Sequence, residues 1–161
     1  MASQNAFPPT AEDECECQLA AALLGGEAVL LHSLRNPLDV HEMILKGFPG
    51  RGLKSLIEGL VSLDRTASLE KAVGISLRTF QRVKEAPERR LSPEQSGRTW
   101  KFAEILARAT TVLGSREEAE RWLERPATGL NQQRPIDLLS TPAGVRLVEE
   151  FLSRVEFGVY A

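Results

Sequence analysis

The sequence predicts an all-α chain in which a helix-turn-helix domain is followed by a small helical domain. Three observations carry that prediction. Capping signatures at Ser92-Pro93-Glu94-Gln95 and Ser115-Arg116-Glu117-Glu118 each precede apolar residues spaced by three and four. A glycine-centred turn, Gly74-Ile75-Ser76, separates two short helical stretches. Thr141-Pro142 opens a third stripe, Val145, Val148, Leu152 and Val155, with Phe151 beside it.

Composition sets the frame for these elements. A chain of 161 residues with 42% hydrophobic content has room for one core or two small helical domains that share an interface. No apolar run approaches the roughly 20 residues of a membrane span. The start is acidic where a secretory signal is basic, so a cytoplasmic protein without a membrane segment is expected. Cys15 and Cys17 are too close for an ordinary disulfide, and with His32 and His41 they match no common zinc spacing. No metal is expected. Net charge is −2, but it is segregated: residues 1–45 sum to −6, residues 46–98 to +5 and the remainder to −1. A basic middle segment suits a phosphate-facing surface, and equally a solvated helical face.

Taken in order, Pro8-Pro9 and the acidic run Glu12–Glu16 suggest a loose N-terminal tail over residues 1–16, with structure starting near Gln18. Leu19, Leu23 and Leu24 predict a helix that ends at Gly25-Gly26. The apolar run Val29–Leu34 is short enough to leave helix and strand both open. His41–Lys46 reads as a short helix, and Leu53, Leu56, Ile57 and Leu60 restart helical spacing after the turn Gly47–Gly50. Trp100, Ala103, Leu106, Ala107, Thr110 and Leu113 place one long helix between Ser92 and Gly114. Ala119, Trp122 and Leu123 then share a helix face, and Ile136, Leu138 and Leu139 make a short turn after Pro135.

The chemistry of interest lies between Leu69 and Val83. Ile75 is placed to plug the gap between the two helices and Ser76 to cap the second. At 100° per residue, Arg78, Gln81, Arg82 and Glu85 fall on one side and Leu77, Phe80 and Val83 on the other. Arg78, Thr79, Gln81, Arg82 and Lys84 are therefore the candidate contacts to operator DNA, arginine suiting guanine and glutamine adenine. Glu70 stands four residues before the turn glycine, where a small residue is usual, and predicts a wide helix crossing. The sequence carries no Gly-rich phosphate loop or nucleophile motif, so neither catalysis nor a cofactor is expected.

Gly74-Ile75-Ser76 with Arg78-Thr79, then Leu91-Ser92-Pro93-Glu94-Gln95, then Ala119-Glu120-Arg121-Trp122-Leu123, resembles the Xre/MbcA/ParS antitoxins in order and spacing. Pro135-Ile136-Asp137-Leu138-Leu139, Thr141-Pro142-Ala143-Gly144 and the ending Arg154–Ala161 extend the resemblance over residues 40–161. Phe157 departs from the histidine or tyrosine often found there, and Leu130–Arg134 is richer in glutamine than usual. The resemblance implies a helix-turn-helix domain over 17–98, a toxin-binding domain over 99–161 and a partner RES-domain toxin that consumes NAD. It further implies that Arg154, Glu156, Phe157, Gly158, Val159, Tyr160 and Ala161 obstruct the toxin's active site.

Tyr160, the chain's one tyrosine, follows Gly158 and adjoins the terminal carboxylate, an aromatic anchor with a charge. An ordinary terminal plug, folded back on its own domain, is the other reading of these residues. Two half-sites on DNA favour a homodimer, or a larger hetero-oligomer with toxin. The competing function is a solitary dimeric regulator with no toxin partner.

Overall fold

The computed structural model describes residues 11–158. Ten α-helices follow one another: α1 (Ala11–Leu23), α2 (Glu27–Leu30), α3 (Pro37–Lys46), α4 (Gly50–Glu58), α5 (Ala67–Val73), α6 (Leu77–Glu85), α7 (Pro93–Leu113), α8 (Arg116–Leu123), α9 (Pro135–Leu138) and α10 (Pro142–Glu156). A 3-10 turn, Thr128–Leu130, precedes α9. The described residues form no strand, only isolated bridges at Pro49–Arg90 and Ala127–Gln133. The all-α expectation holds.

α7 is the axis of the molecule. Ser92 Oγ accepts the Gln95 N–H and Gln95 Oε1 accepts the Ser92 N–H, both at 3.1 Å, so the expected reciprocal cap is formed. Trp100, Phe102, Ala103, Ile105, Leu106 and Ala109 are all buried, more than a single stripe. The reason is that α1, α3, α5, α8 and α10 all pack against this one helix. Phe48 stacks on Trp100 with centroids 5.9 Å apart, and its N–H donates to the buried Ser96 Oγ at 2.9 Å. The Ser115 cap is only half of the expected box: its Oγ accepts the Glu118 N–H at 3.2 Å, but the Glu118 carboxylate pairs with Arg121.

Two expectations shift. Helix α1 begins at Ala11, so residues 11–16, assigned to a loose tail, are its first turns. Acidic side chains such as Glu14 favour a helix start, and Cys17, Ala20, Ala21 and Leu24 supply the buried face that anchors it on α7. Residues 1–10 of that tail lie outside the described residues. The ambiguous Val29–Leu34 run resolves as neither a whole helix nor a strand: Val29 and Leu30 end α2, Leu31 closes it in the left-handed region at φ 59°, and the chain is irregular to Leu34. The division expected at residues 98 and 99 falls within the unbroken α7.

Candidate functional site

The helix-turn-helix is built as its residues suggest. Gly74 ends α5 at φ 71°, its N–H donating to Glu70 O at 2.8 Å. Arg98 Nη2, on α7, donates to Lys71 O at 2.6 Å and Ala72 O at 3.2 Å, answering the last carbonyls of α5. Ile75 is 7% exposed and fills the gap, and Ser76 Oγ accepts the Thr79 N–H at 3.2 Å. Along α6, Val83 is buried and Phe80 half-buried, whereas Arg78, Gln81, Arg82, Lys84 and Glu85 are exposed.

Three details refine that face. Thr79 is half-buried, with its hydroxyl 3.1 Å from Ser76 Oγ, and Lys84 Nζ sits 4.9 Å from the centre of the Phe80 ring. Leu77, expected to be buried with Phe80 and Val83, is 49% exposed. It stands at the first turn of α6, on the rim of a shallow cleft whose lining includes the core residues Leu53, Ile57 and Leu69. Glu70 lines the same cleft and is itself exposed, so its bulk meets solvent at the crossing rather than the core.

The second half of the molecule holds this unit from behind. Arg116 donates to Gly59 O at 2.9 Å. Glu120, 0% exposed, accepts N–H groups from Val61, Ser62 and Leu63 at 2.9, 2.6 and 2.9 Å. Glu124 accepts the Asp64 N–H at 3.2 Å. Positions 116, 120 and 124 recur every four residues, so one face of α8 grips the whole loop between α4 and α5. Asp137 adds a lateral tie, with Lys71 Nζ at 3.4 Å and a fork of bonds from Arg134 at 2.8 and 2.9 Å. The Arg134 hydrogen bonds, with help from the Arg134 and Lys71 charges, hold the Asp137 carboxyl below the ordinary aspartate range.

Sequence reasoning missed Arg98, Glu120 and the Asp137 tie. Their partners lie far along the chain, and no local pattern marks them.

At the other end, α10 buries Val148 and Leu152, and Trp122 stacks on Phe151 with centroids 5.5 Å apart. Arg154 lies 6.0 Å over the Phe151 ring and Glu156 accepts from Arg108 Nη2 at 2.9 Å, so both expected toxin contacts are engaged within the chain. Phe157 is 76% exposed at the mouth of a groove between α1, α7 and α10. Gly158 follows in the left-handed region at φ 67°. Val159, Tyr160 and Ala161 lie outside the described residues.

Comparison with known proteins bears on both halves. The antitoxin Xre-like helix-turn-helix domain model matches residues 39–104, and the antitoxin Xre/MbcA/ParS C-terminal toxin-binding domain model matches residues 108–158. "Antitoxin Xre" of Pseudomonas putida is 30% identical over 125 residues, covering 78% of this chain and 76% of that protein. The chain belongs to the Xre/MbcA/ParS antitoxin family. "Antitoxin Xre" of Yersinia enterocolitica is 30% identical to this antitoxin over 96 residues, 59% of this chain and 64% of that one. The "Prs ADP-ribosylating antitoxin" of a Sphingobium species is 27% identical over 135 residues, covering 78% and 83% of the two chains. The two matched regions of the antitoxin meet inside α7, the helix that both halves share.

Proposed function

We propose that this antitoxin neutralises a RES-domain toxin that consumes NAD, by seating residues 154–161 in the toxin's active-site cleft. The observation that carries the reading is Phe157, the most exposed large apolar side chain of the described residues, set at the end of α10 immediately before a left-handed glycine. An aromatic held in water at a helix end gains most by entering a concave apolar pocket. Tyr160 continues the segment with a second aromatic. The Sphingobium relative's name joins antitoxin to ADP-ribosylation, a reaction that uses NAD as donor, which supports this toxin chemistry.

Repression of its own operon is the second part of the proposal, with the antitoxin acting in the cytoplasm as a binding protein rather than an enzyme. Arg78, Gln81 and Arg82 are exposed on one face of α6 and have the donors to read base edges, with Thr79 and Lys84 flanking them. A homodimer, or a hetero-oligomer with toxin, would present two such helices to paired half-sites.

Co-expression with the RES-domain toxin of the same operon, followed by affinity purification and a cellular NAD assay, tests the first part. The full chain should form a complex and preserve NAD, and a chain lacking residues 157–161 should lose protection while remaining folded. Full protection by the shortened chain would refute the active-site arm. No complex at all would leave the solitary regulator standing.

A further inference from the structure

Among the described residues, the arginines of this chain divide into two sets. Most are engaged: Arg65, Arg90, Arg98 and Arg116 donate to backbone carbonyls, others pair with carboxylates, Arg35 bonds Ser33 and Arg154 covers a ring. Arg51, Arg78, Arg82, Arg89 and Arg125 are exposed and make no such contact. Four of these five fall on α4, α6 and the loop that follows α6.

The placement of Arg51 and Arg89 is fixed by backbone rather than by chance. The Gly50 N–H donates to Arg89 O at 2.8 Å and the Arg51 N–H to Pro87 O at 2.8 Å, so the first turn of α4 is stitched to the loop leaving α6. Both arginines therefore stand beside the last turn of α6, on a frame that buried Val83 supports from within. Glu85 and Glu88 lie in the same stretch, yet neither comes within ion-pair distance of Arg82 or Arg89 among the described residues. In a chain that elsewhere answers all but one of its guanidinium groups, that of Arg125, from its own atoms, cations kept open on one face beside available carboxylates point to an anionic partner outside the molecule.

We infer that Arg51 and Arg89 clamp DNA phosphates flanking the groove that α6 enters, a positioning site separate from the base-reading face. This rests on the DNA-binding reading above. Guanidinium forks suit phosphate oxygens, and contacts of this kind set register and affinity without reading sequence. Arg51 and Arg89 would therefore hold the helix in the groove for any DNA, while Gln81 and its neighbours choose among sequences.

The test uses the full chain and two labelled duplexes, one from upstream of its own coding sequence and one unrelated. Replacing both Arg51 and Arg89 by alanine should weaken binding to both duplexes by the same factor. It should also flatten the plot of log affinity against log salt by about 0.9 per lost contact, about 1.8 for the pair. Arg51→Lys should regain part of that slope. Arg125→Ala, the open arginine on the other half of the chain, should leave affinity and slope as they are. An unchanged slope in the double variant, or an equal loss with Arg125→Ala, overturns the inference. If the wild-type chain binds neither duplex, or alanine at Arg78, Gln81 and Arg82 together changes nothing, the DNA reading fails and the inference fails with it.

Discussion

At Gly74 a backbone angle and a close contact both stand against a side chain. The backbone sits at φ 71°, and a Cβ would come within 2.0 Å of Nη1 of the Arg98 guanidinium, whose Nη2 caps α5. Gly74→Ala should therefore cost more than the roughly 1–2 kcal/mol of left-handed strain alone, read as a drop in urea midpoint without a change in slope. Glu120 is the larger stake. Its buried carboxylate answers three backbone N–H groups; Val61 and Ser62 stand at the surface and can turn to water, so Glu120→Ala orphans chiefly the N–H of buried Leu63. At about 1–3 kcal/mol for a buried orphaned donor, and with the two outer bonds lost as well, a loss of about 2–3 kcal/mol is expected by chemical denaturation. Glu117→Gln, which touches only the exposed Arg121, should stay within about 0.5 kcal/mol. A Glu120→Ala protein as stable as the wild type would show that the loop finds other partners.

The elements differ in how plainly the sequence announces them. Starts at Ser76, Ser92 and Ser115 are legible because a cap is completed within three residues of itself. The long α7 is legible for the same reason, since its spacing and both its ends are local. Glu120 is not, because its partners lie 57 to 59 residues away and a glutamate inside a capped, charged helix reads as solvent-facing until the loop folds onto it. Leu77 misleads in the opposite direction: the wheel puts it with Val83, but at the first turn of α6 it stands on the rim of an open cleft and stays half exposed. Arg154 and Glu156, expected as toxin contacts, are readable as positions, whereas their engagement by Phe151 and Arg108 depends on how α7 meets α10.

At this scale too belongs the tie between α5 and α9. The folded Asp137 carboxyl titrates below its unfolded value, so its contribution is fully present above the ordinary aspartate range and is lost as pH falls through the depressed folded value. Melting temperatures of the wild type and Asp137→Asn should differ at neutral pH and converge in acid. A constant gap down to strongly acid pH would mean the tie is not ionic.

On the scale of the whole molecule, α7 and α8 make two matched regions behave as one body. Residues 39–104 and 108–158 answer to separate family models, yet the loop that leads into α5 takes its hydrogen bonds from Arg116, Glu120 and Glu124 beyond the junction. A chain ending at residue 104 should therefore melt well below the full protein and with a broader transition, measurable by circular dichroism. Equal melting of the two would show that the front half stands alone. The grip of α8 on that loop also ties the fate of one half to that of the other. On the proposed function, a cut that separated the two halves would remove the inhibitory arm and, by the same stroke, the side chains of Arg116, Glu120 and Glu124 that fasten the loop leading into α5. Release of the toxin and opening of the operon would then be one event.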